Sequence, residues 1–234
     1  MNTALRLWRQ WRHGHKFARI GKHCLFPAGP LRVEGHVELG DHVRIREGCI
    51  LRTHRDGEII IGSRGGLSFY CVLEATNRIE IGDFTGIAEF TVIRDTNHVV
   101  IGTDAHWRTT PHVAEPIVIG NSCLIGSRCY IGPGVTIGDG AVIAPGSMIT
   151  KDVGPLEIWA GSPARLVAHR TKNVSPAMLR RFQDLVAKYG LREDRHGIYQ
   201  EYQAAQQVDS RTESQTEAPA GEEEPREPDI VAED

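Results

Sequence analysis

A strict six-residue period between Ile119 and Ile149 is the strongest constraint on what this chain can fold into. Every sixth position in this stretch is isoleucine, and the six are Ile119, Ile125, Ile131, Ile137, Ile143 and Ile149. At about 100° per residue, six steps advance about 600°, so a helix would scatter these side chains around its axis. In a strand, by contrast, residues two apart share one face. The repeat therefore predicts a parallel β-helix, whose core forms only when one coil stacks on the next.

The same ladder extends towards the N-terminus, with interruptions at regular places. The step between aliphatic positions is six within a group and eight or ten between groups, so extra residues fall in segments 52–58, 74–78 and 94–98. Three units make a triangular coil of 18 residues, and the extra residues are expected to protrude at one edge of the prism, where repeat proteins collect function. Ile101 continues the ladder, segment 103–116 breaks it for one coil, and Ile119 resumes it in register.

The regions outside the repeat have different compositions, and we divide the chain accordingly. The four segments are a basic amphipathic N-terminal extension (1–19), a β-helix domain (20–170), a C-terminal helical segment (171–202) and an acidic, disordered tail (203–234). The six-residue rhythm ends near Lys151, where we expect the chain to leave the prism. Ser175 and Pro176 then provide an N-cap and a first helical residue for a helix that would cover the last coil.

The N-terminal extension interleaves tryptophan and leucine with arginine and lysine, and two interpretations remain open. It is either a basic helix that binds an anionic membrane surface, or a terminal helix that packs on its own domain or a neighbouring subunit. The chain has no apolar run long enough to span a bilayer and no signal peptide. We therefore expect a cytoplasmic protein, which would lie at the inner face of the membrane if the extension binds lipid.

The five cysteines have the register of core residues. Each precedes an inward aliphatic or aromatic position by two, and the five are Cys24, Cys49, Cys71, Cys123 and Cys129. We expect reduced, buried thiols rather than disulfides or metal ligands. The net charge of −3 argues against a nucleic-acid partner.

Three features together resemble the hexapeptide-repeat acyltransferases: the repeat, a long loop after Asp95-Thr96-Asn97-His98, and the motifs Thr150-Lys151-Asp152 and Ala160-Gly161-Ser162-Pro163-Ala164-Arg165. The likeness is clearest over residues 79–170 and is closest to the branch of maltose, galactoside and bacterial polysaccharide O-acetyltransferases. It implies an all-β fold, a left-handed parallel β-helix (triangular prism) with N-terminal and C-terminal helical extensions. It also implies a homotrimer with acyl-CoA bound between adjacent prisms.

The resemblance assigns the catalytic base to His98, which follows Ile81-Gly82 at an extruded corner. A sugar hydroxyl attacks a thioester poorly unless its proton is removed, and a neutral imidazole can remove it near neutral pH. Ser127 matches the serine near the oxyanion. Ser68 stands where related enzymes carry the asparagine that orients the base, and Glu74, Glu89 and Asp95 are alternative orienting partners.

Further family positions imply ligands for the two substrates. A coenzyme A arm needs close backbone approach, and small residues permit it. Basic side chains would pair with the nucleotide phosphates. The positions implied for acetyl-CoA are Gly126, Ala144, Gly146, Thr150, Lys151 and Arg165, although Pro145 removes one backbone donor. The acceptor sugar is assigned to Asn97, His106, Trp107 and Arg108, because an aromatic face beside polar groups suits a sugar ring.

The expected function is therefore an acetyl-CoA-dependent O-acetyltransferase that acts on a sugar or polysaccharide precursor, with no metal and no cofactor beyond acetyl-CoA. One alternative is a γ-carbonic-anhydrase-like zinc enzyme, for which His98, His106 and His112 are available, although their spacing differs from that family. The other is a non-catalytic β-helix scaffold.

Overall fold

The computed structural model describes residues 3–100 and 110–170, and almost every element in them is a short strand. The first elements are α1 (Thr3–Gly14), β1 (Arg19–Ile20), β2 (Arg32–Glu34), β3 (His36–Leu39), β4 (Arg44–Ile45), β5 (Ile50–Thr53), β6 (Glu58–Ile61) and β7 (Gly66–Leu67). The next are β8 (Val72–Ala75), β9 (Arg78–Ile81), β10 (Gly86–Ile87), β11 (Val92–Arg94), β12 (Thr96–His98), β13 (His112–Ala114) and β14 (Ile117–Ile119). The last are β15 (Leu124–Ile125), β16 (Tyr130–Ile131), β17 (Thr136–Ile137), β18 (Val142–Ile143), β19 (Met148–Ile149), β20 (Glu157–Gly161) and β21 (Ala164–His169).

Three parallel sheets form the faces of a prism, because each strand pairs with its equivalent one coil away. Face A has the order β1-β3-β6-β9-β14-β17, face B has β21-β20-β18-β15-β10-β7-β4, and face C has β19-β16-β11-β8-β5-β2. The chain visits A, B and C in turn, so corner AB, corner BC and corner CA join successive faces. This is the all-β triangular solenoid that the repeat predicts, and it agrees with a left-handed parallel β-helix.

The core consists of stacked aliphatic rungs. On face A, Ile61 pairs with Ile81, Ile81 with Ile119 and Ile119 with Ile137, and each is at most 2% exposed. The five cysteines are free and buried, as their register predicts. Burial raises the pKa of the Cys24, Cys123 and Cys129 thiols. These side chains therefore act as small core residues.

Two expectations about the path of the chain are wrong. Strand β9 pairs directly with β14, so no coil of face A lies between Ile81 and Ile119. Ile101, which the spacing predicts as part of the ladder, lies outside the described residues. The chain also remains in the prism beyond Lys151, since Val153 bridges to Ile137 and β20 pairs in parallel with β18. The antiparallel strand β21 then adds to the edge of face B.

Helix α1 packs against the first coil. His13 and Phe17 are buried, and both rings lie near Phe26 at centroid distances of 6.1 and 5.4 Å. Burial, together with the nearby charges of Lys16 and Arg12, lowers the pKa of His13. The helix thus packs on its own domain, which agrees with the second of the two interpretations given above. Within the described ranges no helix has the length and apolar character to cross a membrane.

The segments assigned to a C-terminal helix (171–202) and an acidic tail (203–234) lie outside the described residues.

Candidate active site

Corner CA carries the insertions, as the spacing predicts. The turns after β5 and β8 are four and two residues long, at 54–57 and 76–77, and the two strands between β11 and β14 belong to none of the three faces. These strands, β12 and β13, pair in antiparallel fashion, with Asn97 opposite Val113 and His98 opposite His112. We call this pair the corner hairpin.

Asp95 attaches the corner hairpin to the prism. Its side chain is fully buried and accepts hydrogen bonds from the backbone N–H groups of Thr76 and Asn77 at 2.8 and 2.7 Å. The hydroxyl of Thr96 donates a third at 2.6 Å. A buried carboxylate requires such donors. Asp95 is therefore occupied in holding the turn of the preceding coil, and its side chain is not available to orient His98.

His98 lies on the exposed surface of the corner hairpin. Its Nδ1 is 3.1 Å from the hydroxyl oxygen of Thr110, and its ring centroid is 4.0 Å from that of His112, with the planes at 70°. An exposed imidazole can accept and donate a proton near neutral pH. The position is therefore compatible with a general base.

Asn97 faces the opposite side of the hairpin from His98, because side chains alternate along a strand. It lines a groove of about 340 Å³ together with Thr150. The other lining residues are Val113, Glu115, Tyr130, Gly132 and Pro133. The structure thus brings together a residue assigned to the acceptor and one assigned to coenzyme A, but on the hairpin face that is turned away from His98.

Corner BC holds the other residues assigned to catalysis and coenzyme A. Ser127 and Gly146 lie one coil apart, since the Gly146 N–H donates to the Ser127 carbonyl at 2.8 Å. Gly126 and Ala144 flank them in the same two turns. The space beside Gly146 is open, with no atom within 4 Å of where a Cβ would lie. Within one chain, His98 and Ser127 therefore lie at different corners of the prism.

The two basic residues assigned to the phosphates are also separated. Lys151 is exposed at corner CA, whereas Arg165 is exposed on β21, next to the turn of the β20–β21 hairpin. That turn lies beside corner BC, because the Gly161 N–H donates to the Ser147 hydroxyl at 3.2 Å. One chain therefore presents one of these two cations at corner CA and the other beside corner BC.

The acidic and hydroxyl partners considered for His98 have other contacts. Ser68 is at corner BC, where its hydroxyl is 3.5 Å from Glu89. Glu74 bonds to His54 at 2.9 Å and pairs with Arg52 and Arg94. Burial alone would raise the pKa of Glu74, but the His54 bond and the two guanidinium charges lower it overall. Glu74 is thus the centre of a surface ion-pair cluster.

His106, Trp107 and Arg108 lie outside the described residues. Within residues 3–100 and 110–170, no three His, Cys, Asp or Glu side chains form a group that could hold a metal ion. His98 and His112, two of the three zinc ligands considered above, do lie together.

Thr110 is the site residue that sequence reasoning missed. The repeat carries no information about a segment outside the prism, and a threonine twelve residues after a histidine has no periodic signal. Recognition of the antiparallel pairing of His98 with His112 would have placed Thr110 close to the imidazole.

Comparisons with known proteins agree with the repeat and the fold. Residues 116–151 match the family model described as bacterial transferase hexapeptide (six repeats). A comparison with curated protein sequences finds no significant match. The chain therefore contains the bacterial transferase hexapeptide repeat.

Solved structures with the same fold include AntD, an N-acyltransferase from Bacillus cereus in complex with dTDP and 3-hydroxybutyryl-CoA. AntD is 21% identical with a TM-score of 0.59, and the match covers 76% of this chain and 95% of AntD. The hexapeptide-repeat-containing acetyltransferase VCA0836 from Vibrio cholerae is 22% identical with a TM-score of 0.50, over 71% of this chain and 82% of VCA0836. At these identities the likeness establishes the fold.

Proposed function

We propose that this protein is an acyl-CoA-dependent O-acetyltransferase that moves an acetyl group from acetyl-CoA to a hydroxyl of a sugar or polysaccharide precursor. The observation that carries the proposal is His98, an exposed imidazole on a hairpin that protrudes from a hexapeptide-repeat prism. AntD and VCA0836, which share the fold, are described as an N-acyltransferase bound to an acyl-CoA and as an acetyltransferase.

In the proposed reaction, His98 removes the proton from the acceptor hydroxyl while the oxygen attacks the thioester carbonyl. The tetrahedral intermediate carries a negative oxygen, for which the Ser127 hydroxyl is the candidate donor. The carbon–sulfur bond then breaks, and the imidazolium returns its proton to the departing thiolate. No metal ion or further cofactor enters this sequence.

We propose a homotrimer, because the candidate residues are divided between two corners of one prism. If corner CA of one chain faces corner BC of the next, His98 and Lys151 of one chain meet Ser127, Gly146 and Arg165 of the other. Closed cyclic assemblies with one repeated interface satisfy this condition. Every chain would then contribute its corner CA to one site and its corner BC to another.

The direct test measures free thiol released from acetyl-CoA with a panel of sugars and glycan precursors. His98→Ala should reduce turnover by about 10²–10⁴-fold, the usual contribution of a general base. The matched control is His54→Ala, which removes another exposed histidine from the same corner and should leave turnover within about twofold. Equal losses in both variants, or full activity in His98→Ala, would refute the proposed base.

The acceptor panel should also contain amino sugars. AntD is described as an N-acyltransferase, and a mutant of it was crystallised with dTDP-4-amino-4,6-dideoxyglucose and coenzyme A. Under the present proposal, hydroxyl acceptors without an amine support turnover and amino sugars are not required. If only amino sugars support turnover, the reaction is N-acylation rather than O-acylation, and the proposed role of His98 as the base still stands.

We further propose that helix α1 binds an anionic membrane surface at the cytoplasmic face. Residues 1–33 contain seven lysines and arginines and no aspartate or glutamate. While the opposite side of the helix packs on the prism, Trp8 and Trp11 are 45% and 77% exposed, and the Arg12 guanidinium lies 5.2 Å from the Trp8 ring. Tryptophan and arginine together favour the lipid headgroup region.

A vesicle co-sedimentation experiment tests this. The intact protein should bind vesicles that contain anionic lipid and should bind zwitterionic vesicles at least about tenfold more weakly. Trp8→Ala/Trp11→Ala should lose most of the binding, whereas Leu124→Ala, which removes an exposed apolar side chain from face B, should retain it. Unchanged binding by the double variant would exclude α1 as the membrane contact.

A further inference from the structure

Helix α1 is attached to the first coil through a buried histidine. His13 is 1% exposed, and its ring centroid lies 6.1 Å from that of Phe26. The Phe17 ring stacks on the same Phe26 ring at 5.4 Å. Neither ring nitrogen of His13 has a hydrogen-bond partner among the residues that the structure describes. The acyl transfer proposed above gives this buried, titratable side chain no role.

The charged groups beside His13 that also hold α1 on the prism are cations. The Arg12 guanidinium donates to the Ala28 carbonyl at 3.4 Å, and the Lys16 ammonium donates to the Leu31 carbonyl at 3.0 Å. Both acceptors are neutral. These two hydrogen bonds therefore bring no negative charge that could balance a protonated His13.

The carboxylates closest in sequence are directed elsewhere. Residues 1–33 contain no aspartate or glutamate. The first acids of the following coil that could matter lie against other groups: Glu38 against Arg19 at 2.7 Å, Asp41 against the Lys22 N–H at 2.6 Å, and Glu47 against Gly29. A proton on His13 would therefore add a positive charge to a site that already holds positive charges.

We propose that protonation of His13 releases α1 from the first coil. A buried charge without a counter-ion is costly, and like charges nearby increase the cost. The cost disappears once α1 leaves the coil, because water then solvates the imidazolium. The neutral ring, by contrast, packs on Phe26 as one more flat apolar surface. The protonation state of one side chain thus determines whether the helix is docked.

The pH range of the release follows from the sign of the pKa shift. Burial lowers the pKa of His13 most, and the charges of Lys16 and Arg12 lower it further. The Pro27 carbonyl near the ring opposes this shift, and His15 adds to it. A histidine in water has a pKa of about 6.5, so docking is fully favoured above that pH and weakens below it. Between pH 7.5 and pH 5 the docking equilibrium constant should fall by up to about 30-fold.

A spin label on α1 measures the release. The five native cysteines are buried, so a nitroxide should attach selectively to Trp8→Cys, at a half-exposed position in the middle of the helix. At pH 7.5 its electron paramagnetic resonance spectrum should show the restricted motion of a docked helix. At pH 5 the ratio of mobile to restricted label should rise by up to about 30-fold.

Variants of two histidines identify the responsible group. His13→Phe, which keeps a ring but cannot be protonated, should stay restricted at both pH values, and His13→Leu should do the same if the larger ring does not fit. His13→Arg, which carries a permanent charge, should be mobile already at pH 7.5. The matched control is His15→Phe, which removes an exposed histidine two residues away and should keep the pH response of the intact protein.

Two outcomes would overturn the inference. One is a restricted label at pH 5 in the protein with His13 intact. The other is the same rise in mobility in His13→Phe and His13→Leu. Circular dichroism at both pH values accompanies each spectrum. Loss of the β-sheet signal at pH 5 with the same midpoint in His13→Phe would indicate general acid unfolding and would also overturn it.

The release has a consequence that rests on the membrane contact proposed for α1. An anionic surface at about −30 mV concentrates protons about threefold, so release should be favoured where the lipid is. On vesicles of phosphatidylcholine with phosphatidylserine, lowering the pH from 7.5 to 5.5 should strengthen binding more in the intact protein than in His13→Phe, by up to about tenfold. A pH-dependent label with equal vesicle binding in the two proteins would support the release and count against the proposed membrane contact.

Discussion

Single side chains connect coils in this protein by replacing backbone hydrogen bonds across the stack. The hydroxyl of Thr85 donates to the Gly120 carbonyl at 2.7 Å and accepts from the Cys123 N–H at 3.0 Å. Thr91 makes the same two bonds to Gly126 and Cys129. In both cases the next coil carries cysteine at the equivalent position. They join the coil below the corner hairpin to the coil above it.

Asp95 performs the same task at the base of the corner hairpin, and its charge is the reason that it can. A carboxylate accepts several bonds at once, and bonds to a charged group contribute about 1.5–3 kcal/mol each. Asparagine offers one acceptor oxygen and two donors that have no partner here. Asp95 therefore determines both the stability of the turn and the placement of His98.

Asp95→Asn should lower the free energy of unfolding by about 2–3 kcal/mol, because at least one backbone N–H loses its acceptor in a buried site. Turnover should fall as well, since the hairpin that bears His98 loses its attachment. Urea denaturation and the thiol-release assay measure the two effects.

Asp83→Asn is the matched control. Asp83 accepts from the Ser63 N–H at 2.6 Å on an exposed turn, and one coil later Asn121 makes the equivalent bond to the Asp83 N–H at 2.8 Å. The chain itself thus uses asparagine at this position, so the loss should be below about 0.5 kcal/mol. Similar losses in the two variants would contradict the special role of Asp95.

At the scale of elements, corner BC is stabilised by a column of side chains in the left-handed backbone region. Tyr70, Phe90 and Arg128 have φ near +60° at equivalent positions, and Gly48 and Gly146 occupy the same position at either end. The Tyr70 and Phe90 rings are stacked at 5.4 Å with 4° between planes, and the Arg128 guanidinium lies 5.9 Å from the Phe90 ring. Because neighbours cover the ring faces, this column is part of the fold rather than a platform for a sugar.

Gly48→Ala should be more destabilising than Gly146→Ala, although both glycines have φ above +70°. A Cβ on Gly48 would lie 2.2 Å from the Tyr70 ring, whereas one on Gly146 would meet no atom within 4 Å. Both changes incur about 1–2 kcal/mol for a side chain in this backbone region, and Gly48→Ala adds about 1–3 kcal/mol of overpacking. The difference between the urea midpoints of the two variants measures the cost of the contact with the Tyr70 ring. Equal midpoints would show that the Tyr70 ring moves aside without a cost in stability.

Sequence reasoning succeeded for the elements that repeat and failed for those that do not. The same six-residue spacing recurs in each coil. It predicts the rungs from Ile117 to Ile149, the buried cysteines and the insertions at one corner. The corner hairpin pairs residues across a segment without periodicity, so neither Thr110 nor the opposed directions of Asn97 and His98 could be read from spacing. Val153 and β20 continue the prism although they lack the six-residue isoleucine pattern. Their position is set by pairing with Ile137 and β18 in the preceding coil.

At the scale of the whole molecule, the candidate residues are divided between two corners of the prism, and the proposed homotrimer would bring them together. Corner CA carries His98 and corner BC carries Ser127 and Gly146, and a single prism holds them apart. A homotrimer with one repeated interface would join the two half-sites three times. Because the two half-sites would come from different chains, a mixing experiment can distinguish a site shared between chains from a site completed within one chain.

Two inactive variants, one at each corner, should restore activity when they assemble together. His98→Ala removes the base, and Gly146→Tyr fills the open space at corner BC with a side chain that the equivalent Tyr70 shows the turn can hold. Each variant alone should retain below about one per cent of turnover. The two chains, co-expressed with different tags and purified through both, should regain about a third of wild-type turnover, because every mixed trimer has one interface with an intact histidine and an open groove.

The control for this complementation is His98→Ala carrying both tags and purified in the same way, which should stay inactive. Mass measurement of the purified mixture should give three chains per particle. Recovery of activity requires that the imidazole and the groove come from different chains, since no chain in the mixture has both. Mixed trimers that remain inactive, with each variant folded, would place the complete site within one prism, and a monomer would exclude the shared site altogether.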